Sequence, residues 1–470
     1  MSRLPRSTAE AQGLSAAALD AFVGALDAGG PEIQTVMLVR HGHVVLEEAW
    51  TPYRLDDRHL LFSVSKSFTS TAIGLAVDAG LLSLDDAVVS FFDADVLPET
   101  ISDNLAAMKV RHLLTMTTGH DEDTVAALSR DRRMVKTFLG LEVQHEPGTV
   151  FVYNSGATYM LSAILQKLTG ESLLDYLKPR LFEPLGMSEA IWQVSKEGIV
   201  VGGWGLSLST ESLAVFGQLL LQHGEWDGQQ LVPAEWFEAA TSKQVPNDNQ
   251  ENPDWQQGYG YQFWRGRHNT YRCDGAFGQF ILVFPEYDAA LVTTAATGDM
   301  QAILDTVWDH LLPALEGKEV PEVSRPSVVE LAPPSGPAPA GGDGTTYQFA
   351  ADNPAGLTAV RLDADGTGTF SFRDLGDDGP HDVVCGPGGW RETSAPGAID
   401  DAGAQTGARV VTSAYGDGDA FVATLRWVDT PFAATLTCRV ADGAMTVDGK
   451  LNVSFGPLDF SLISEAMSQS

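Results

Sequence analysis

Ser63 and Lys66 are the two residues of this chain whose types and spacing could do chemistry together. They lie in Leu60-Leu61-Phe62-Ser63-Val64-Ser65-Lys66, where an apolar run gives way to an apolar-periodic stretch ending at Gly80. That pattern predicts a strand-to-helix boundary with Ser63 near the helix N-terminus. Three residues is just under one helical turn, so Lys66 shares a face with Ser63, one turn above it. An amine there can take the serine proton if its own pKa falls, and burial and the positive end of the helix dipole both lower it. Backbone N–H groups at the same helix end point outward and offer half of an oxyanion hole. The expected chemistry is nucleophilic attack by an activated serine without histidine. The competing reading is an N-cap serine followed by a solvated lysine. Composition weighs against it, because of nine lysines only Lys66 has a serine three residues before it.

The elements that must position this pair are legible around it. A helix is expected from Ser15 to Ala28, with Leu19, Phe22, Val23 and Leu26 on one face and Gly29-Gly30 as its stop. IQTVMLVR and HVVLEEAW around Gly42 predict a hairpin. The middle is mostly helical. Strand patterns return at residues 277–284 and 290–295, followed by a helix through DMQAILDTVWDHLLPAL. Strands at both ends with helices between them imply an α+β domain: one antiparallel sheet built from both ends, flanked by helices, with a helical insert.

Residues 319–344 hold six prolines followed by Gly341, Gly342 and Gly344, a stretch that supports neither a helix nor a central strand. It divides the chain into a domain over 1–318, a linker over 319–344 and a C-terminal region over 345–470. The last has short alternating runs (LTAVRLDADGTGTFSFRD, ARVVTSAYGDGDAFVATLRWV, ATLTCRVADGAMTVDGKLNVSFG) broken by DG and GDGD turns, which predicts an antiparallel β-sandwich or barrel.

Composition bounds the partners. Lys and Arg number 29 against 62 Asp and Glu, a net charge of −33. That balance excludes nucleic acid and anionic membrane surfaces as main partners, since both need basic patches. Cys273, Cys385 and Cys438 lie far apart, with no CxxC and no His/Cys cluster, so neither a disulfide framework nor a zinc site is suggested. His41-Gly42-His43 is too isolated to be a metal site. The N-terminus lacks the apolar core of a signal peptide and no run approaches a membrane span, which points to a cytoplasmic protein. There is no G-x-S-x-G elbow, no H-E-x-x-H helix and no G-x-x-x-x-G-K loop.

Three segments in order, FSVSKSFTSTAIGLAVDAGLLSLDD, VRHLLTMTTGH (110–120) and EPGTVFVYNSGATYMLSAILQKLTG (146–170), resemble the serine beta-lactamase-related superfamily. That superfamily holds class C beta-lactamases, DD-peptidases, lactamase-type esterases and 6-aminohexanoate-dimer hydrolases, and the resemblance covers roughly residues 15–315. It implies Ser63 as the acylated nucleophile, Lys66 as proton acceptor or helper, and Tyr153 of Tyr153-Asn154-Ser155 as the residue that shuttles a proton to the leaving group. A phenol of pKa about 10 is a poor base unless a nearby cation stabilises phenolate, so Lys66 and Tyr153 form a coupled pair and either can be the resting base. The family's second motif is commonly Tyr-x-Asn. Here asparagine falls one place early, and Asn154 or Ser155 could orient a substrate amide.

The third motif, Lys-Thr-Gly in beta-lactamases and often His-x-Gly in esterases, is matched by Cys273-Asp274-Gly275. It keeps the glycine that permits close substrate approach and lacks the cation; adjacent Arg272 is a substitute that strand alternation points to the other face. The resemblance makes the Ala276 N–H the second oxyanion donor beside that of Ser63, and Asp274 and Gly275 substrate neighbours. Cys273 as a nucleophile has no histidine to activate it. Trp204 in GGWGLSLST and the cluster Trp255, Tyr259, Tyr261, Phe263 and Trp264 suggest an apolar pocket, and His120 with Asp121 an entrance. No metal or organic cofactor is implied. The function expected is a serine hydrolase acting on a small-molecule ester or amide, carboxylesterase or small-amide hydrolase before beta-lactamase or D-amino-peptide peptidase, because the Lys-Thr-Gly cation and an export signal are both missing. A binding or sensor protein that keeps the pocket without turnover is the alternative from another class. Nothing in the sequence decides whether the chain forms a homo-oligomer.

Overall fold

The computed structural model describes residues 4–350, 352–373, 381–395 and 408–465. Helix α1 (Ala16–Ala28) starts where the Ser15 side chain accepts from the Ala18 N–H. It leads into β1 (Glu32–Arg40) and β2 (His43–Ala49), turning at His41-Gly42, both with positive φ. Helix α2 (Ser65–Asp78), which carries Lys66, then α3 (Ser155–Thr169) and α4 (Thr210–Leu221), come next along the chain. Strands β3 (Trp264–Arg265), β4 (Tyr271–Gly275), β5 (Gln279–Phe284) and β6 (Ala289–Ala296) follow. A final helix opens as α5 (Met300–Thr306) and continues through a π turn, Val307–Leu311, to Leu312–Leu315.

The sheet runs β2-β1-β6-β5-β4-β3, every pair antiparallel, so the two ends of the domain meet at the β1–β6 ladder as the sequence pattern requires. Alternation sorts its side chains. Phe280, Leu282 and Phe284 pack with Phe22, Leu26 and Leu311 on one face, while Ile281 and Val283 join Phe68, Leu161 and Phe216 on the other. The helix α2 is thus buried between the sheet and the helical insert, and Lys66 is carried into that interior with it. Short strands that the sequence does not announce, Arg58–Leu60, Ile191–Trp192 and Leu206–Ser209, form a small sheet in the insert; at two to four residues they are too short to show a period.

Beyond residue 318 the chain does not dangle between domains. Leu331 N donates to Thr51 O, Arg325 pairs with Asp20 and Glu48, and Gly342 N donates to Asp363 O, so the Pro/Gly-rich stretch is strapped to both sides. The C-terminal region is sheet-rich: a four-stranded sheet over Thr346–Gln348, Leu357–Leu362, Gly368–Phe372 and His381–Cys385, and a six-stranded one running from Arg391–Ala395 to Asp459–Ile463. Both meander in chain order and share one core, with Leu357 and Phe370 against Phe421, Leu436 and Met445. Of the two expected forms the barrel is not realised, since no barrel closes among the described residues. The DG turn is as expected: Asp442 and Gly443, at φ 51 and 79, join strands paired at Ala441 and Ala444. Asp374, the end of the first alternating run, lies outside the described residues.

Helix α2 packs so closely on its neighbour that a Cβ at Gly74 would stand 2.4 Å from the Trp236 ring. Alanine would add about 1 kcal/mol of helix propensity, but overpacking costs typically about 1–3 kcal/mol. Gly74→Ala is therefore expected to lower the melting temperature in scanning calorimetry; an equal or higher value would contradict this packing.

Candidate active site

Ser63 sits in a single 3-10 turn, Phe62–Val64, that feeds directly into α2. The segment is held from two sides. Leu61 N donates to Leu206 O, Leu60 N donates to Asp429 O of the C-terminal domain, and Phe62 adopts a left-handed backbone at φ 46. Such a conformation costs a bulky residue on the order of 1–3 kcal/mol and persists only where its surroundings enforce it. One turn on, Lys66 is 1% exposed and its Nζ lies 2.9 Å from Ser63 Oγ, 3.1 Å from Ser155 Oγ and 2.7 Å from Gly203 O. All three partners are uncharged. Burial brings the amine down to about 7, with the field of Asp123 acting in the opposite direction.

The Tyr153 ring lies 4.8 Å from Lys66 Nζ and stacks on Trp264 at 5.3 Å. Burial pushes its phenol well above the ordinary value, and the hydrogen bond with Ser63 offsets only part of that. The site thus holds a phenol that keeps its proton beside an amine that readily gives one up.

The two halves of Tyr153-Asn154-Ser155 part company. Ser155 opens α3, meets Lys66 through its hydroxyl, and donates its N–H to Asp123 Oδ1 at 2.8 Å. Asn154 is fully buried and caps the helix: Oδ1 accepts from Gly156 N, Ala157 N, Thr124 N and Thr124 Oγ1. The expectation that Asn154 touches substrate is corrected, because its acceptor is consumed by orphan helix N–H groups.

Strand β4 completes the frame. A Cβ on Gly275 would fall 2.2 Å from Leu61 O, so this glycine lets the strand press against the segment that carries Ser63. The next residue, Ala276, has its carbonyl held by Gln279 Nε2 at 3.0 Å, and Gln279 is itself fully buried. Arg272 and Asp274, two residues apart, share one face and an ion pair of 2.9 Å. Arg272 is entirely buried, donates to Asp254 O and lies over Trp255. It is therefore no substitute for the absent third-motif cation. Burial raises Asp274 to about 6 despite Arg272. Cys273 faces the opposite side, toward Ser67, and burial pushes its thiol far up, which removes it as a rival nucleophile.

The remaining expectations divide. Trp204 follows the Gly203 carbonyl that holds Lys66, and its own carbonyl accepts from Trp192 Nε1. Tyr259 and Trp264 surround Tyr153, at 6.3 and 5.3 Å. His120 does not line an entrance: it is buried beside Phe138, with Nδ1 2.9 Å from Thr118 Oγ1, and burial takes it to about 4. No group of His, Cys, Asp and Glu among the described residues could hold a metal ion, and no helix there is long and apolar enough to cross a membrane.

With this geometry in place, comparison with known proteins is decisive for the family. Residues 19–311 match the Beta-lactamase family. The chain belongs to the beta-lactamase family. A D-aminopeptidase of Brucella anthropi is 32% identical over 188 residues, covering 37% of this chain and 35% of that protein, so the chain spans about a third of that relative. A 6-aminohexanoate-dimer hydrolase of Paenarthrobacter ureafaciens is 26% identical over 56% of this chain and 72% of its own length. The octameric penicillin-binding protein homologue from Pyrococcus abyssi aligns over 94% of this chain and 97% of its own with a TM-score of 0.51 at 18% identity, a likeness of fold.

Three contributors to this beta-lactamase-family site escaped sequence reasoning. Gly203 acts through a backbone carbonyl, which leaves no residue signature beyond the Gly202-Gly203 pair. Asp123 is one of many acidic residues in its segment. Gln279 announced itself only as a polar residue inside an otherwise apolar strand. Asn154 yields a direct check of its structural task. Asn154→Ala is expected to cost at least the roughly 0.5–2 kcal/mol of a lost N-cap, read as a lower melting temperature. Unchanged stability would return Asn154 to the list of substrate contacts.

Proposed function

We propose that this protein is a serine hydrolase acylated at Ser63, with Lys66 as the base that takes the hydroxyl proton and Tyr153 as the donor that passes a proton to the leaving group. One observation carries the reading: a fully buried lysine brought to about 7, its Nζ 2.9 Å from Ser63 Oγ. A neutral amine has two N–H bonds and one lone pair. The Gly203 carbonyl can only accept, so it takes one N–H and leaves the lone pair for a hydroxyl. When Ser63 Oγ attacks a carbonyl carbon, its proton moves to Lys66 Nζ and the carbonyl oxygen becomes an oxyanion facing the N–H groups of Ser63 and Ala276. Collapse expels the alkoxide or amine, which takes the proton held by Tyr153, and Lys66 reprotonates the phenolate. Water then enters by the same route in reverse and releases the acid.

The substrate class follows from charge. A beta-lactam or cell-wall peptide is gripped through its carboxylate by a cation, and the arginine beside the third-motif position, Arg272, is locked to Asp274. This favours carboxylesters and small amides lacking that carboxylate. Relatives named as an aminopeptidase and a dimer hydrolase accord with acyl transfer to water.

A fluorophosphonate probe should label the full chain at Ser63, with labelling lost in Ser63→Ala; a folded protein that stays unlabelled refutes the proposal. Steady turnover of p-nitrophenyl acetate separates the enzyme from a binding protein, which would release a single equivalent and stop. Lys66→Arg, which keeps a charge that cannot be lost, is expected to slow labelling by about 10²–10⁴-fold. Because only the uncharged amine accepts a proton, the labelling rate should rise with pH around a midpoint near 7, the value to which burial brings Lys66. A flat profile between pH 5.5 and 8.5 would rule Lys66 out as the base.

A further inference from the structure

The residues flanking both presumed oxyanion donors turn their rings out of the hydrolase domain. Phe62 precedes Ser63 and Phe277 follows Ala276; both have left-handed backbone, φ 46 and 67, and their rings meet edge to face at 5.5 Å. Phe432 of the C-terminal domain packs against them at 6.1 and 5.8 Å. The outermost ring is Phe455, on the loop between the last two strands, 5.6 Å from Phe62 and 4.7 Å from Phe277. Phe62 and Phe277 are 4% and 8% exposed, but Phe455 is 63% exposed. The Phe62 ring meets it at 70° and the Phe277 ring at 49°, and most of the residue remains exposed.

The loop that presents Phe455 is well held. Asn452 Oδ1 accepts from Ala433 N, its Nδ2 donates to Pro431 O, and Leu451 N donates to Leu458 O across the loop base. Ser454 Oγ accepts from Gly456 N on either side of the phenylalanine. An exposed ring kept in place by such a loop is pre-organised to receive something apolar. The ladder of rings leads to the two backbone positions that would hold the oxyanion, and Ala276 itself packs against the C-terminal core.

We propose that Phe455 is a specificity-determining residue: its exposed ring is the apolar wall on which the substrate's acyl chain lies, so that the C-terminal region completes the cleft and selects esters or amides of apolar acids. This rests on the serine-hydrolase reading above. Each methylene laid on the ring should add up to about fourfold in rate.

The test compares rates of Ser63 labelling by methyl, butyl and octyl fluorophosphonates in full-length wild type, Phe455→Ala and Phe455→Trp. Wild type should react faster as the chain lengthens. Phe455→Ala should lower the octyl-to-methyl ratio by about tenfold, and Phe455→Trp should keep the ratio. An unchanged ratio in Phe455→Ala, or equal slowing with all three probes as a loosened scaffold would give, overturns the inference. Absence of labelling in wild type would instead remove the hydrolase reading and this inference with it.

Discussion

An ammonium ion taken wholly out of water, with only neutral groups in contact, is among the costliest charges a fold can bury, and Lys66 is in that position unless it gives up its proton. Moving a lysine from its usual value to about 7 corresponds to about 5 kcal/mol of lost solvation for the charged form. That loss is what lets the amine stand neutral near pH 7, and the structure around it is arranged to sustain it. The sheet and the helical insert close over α2 from both sides, the Gly203 carbonyl and two hydroxyls give Nζ hydrogen bonds without a compensating charge, and the nearest carboxylate with an effect, Asp123, is occupied by the N–H groups of Ser155 and Val125. A carboxylate placed at contact distance would secure the lysine and silence it.

The second constraint is the approach of β4 to the segment before Ser63. With no room for a Cβ at Gly275, the strand and the nucleophile turn form one rigid unit, and Gln279 fixes the strand from behind. The third-motif cation of other family members is replaced here by an internal ion pair. Arg272 and Asp274 satisfy each other and the loop at Asp254, so this side of the cleft is shaped but carries little free charge.

How far the sequence discloses all this depends on what kind of interaction is involved. The Ser63–Lys66 pair was readable because helical geometry alone places them together, and the sheet built from both ends was readable because β1, β5 and β6 are long enough to show their pattern. Asn154 was misassigned although the cue was present: an asparagine before Ser-Gly-Ala and an apolar-periodic run is an N-cap pattern. Arg272 and Asp274 could likewise have been paired, since alternate residues of a strand share a face. What no pattern offered was the carbonyl of Gly203, the depth of His120, and the meeting of Phe62 and Phe277 with rings from the far end of the chain. These depend on tertiary packing between segments with no local relation.

That last meeting has a consequence in time. Leu60 N is bonded to Asp429 O, and Phe62 packs on Phe432 and Phe455, partners 369 to 393 residues downstream. At a synthesis rate of about 5–20 residues per second, the nucleophile turn leaves the ribosome on the order of 20–80 s before the chain that braces it exists. During that interval Phe62 has no partner from the second domain to hold its left-handed backbone. The Ser63 turn is thus encoded early and braced late, its left-handed neighbour waiting for contacts that come only with the C-terminal sheets.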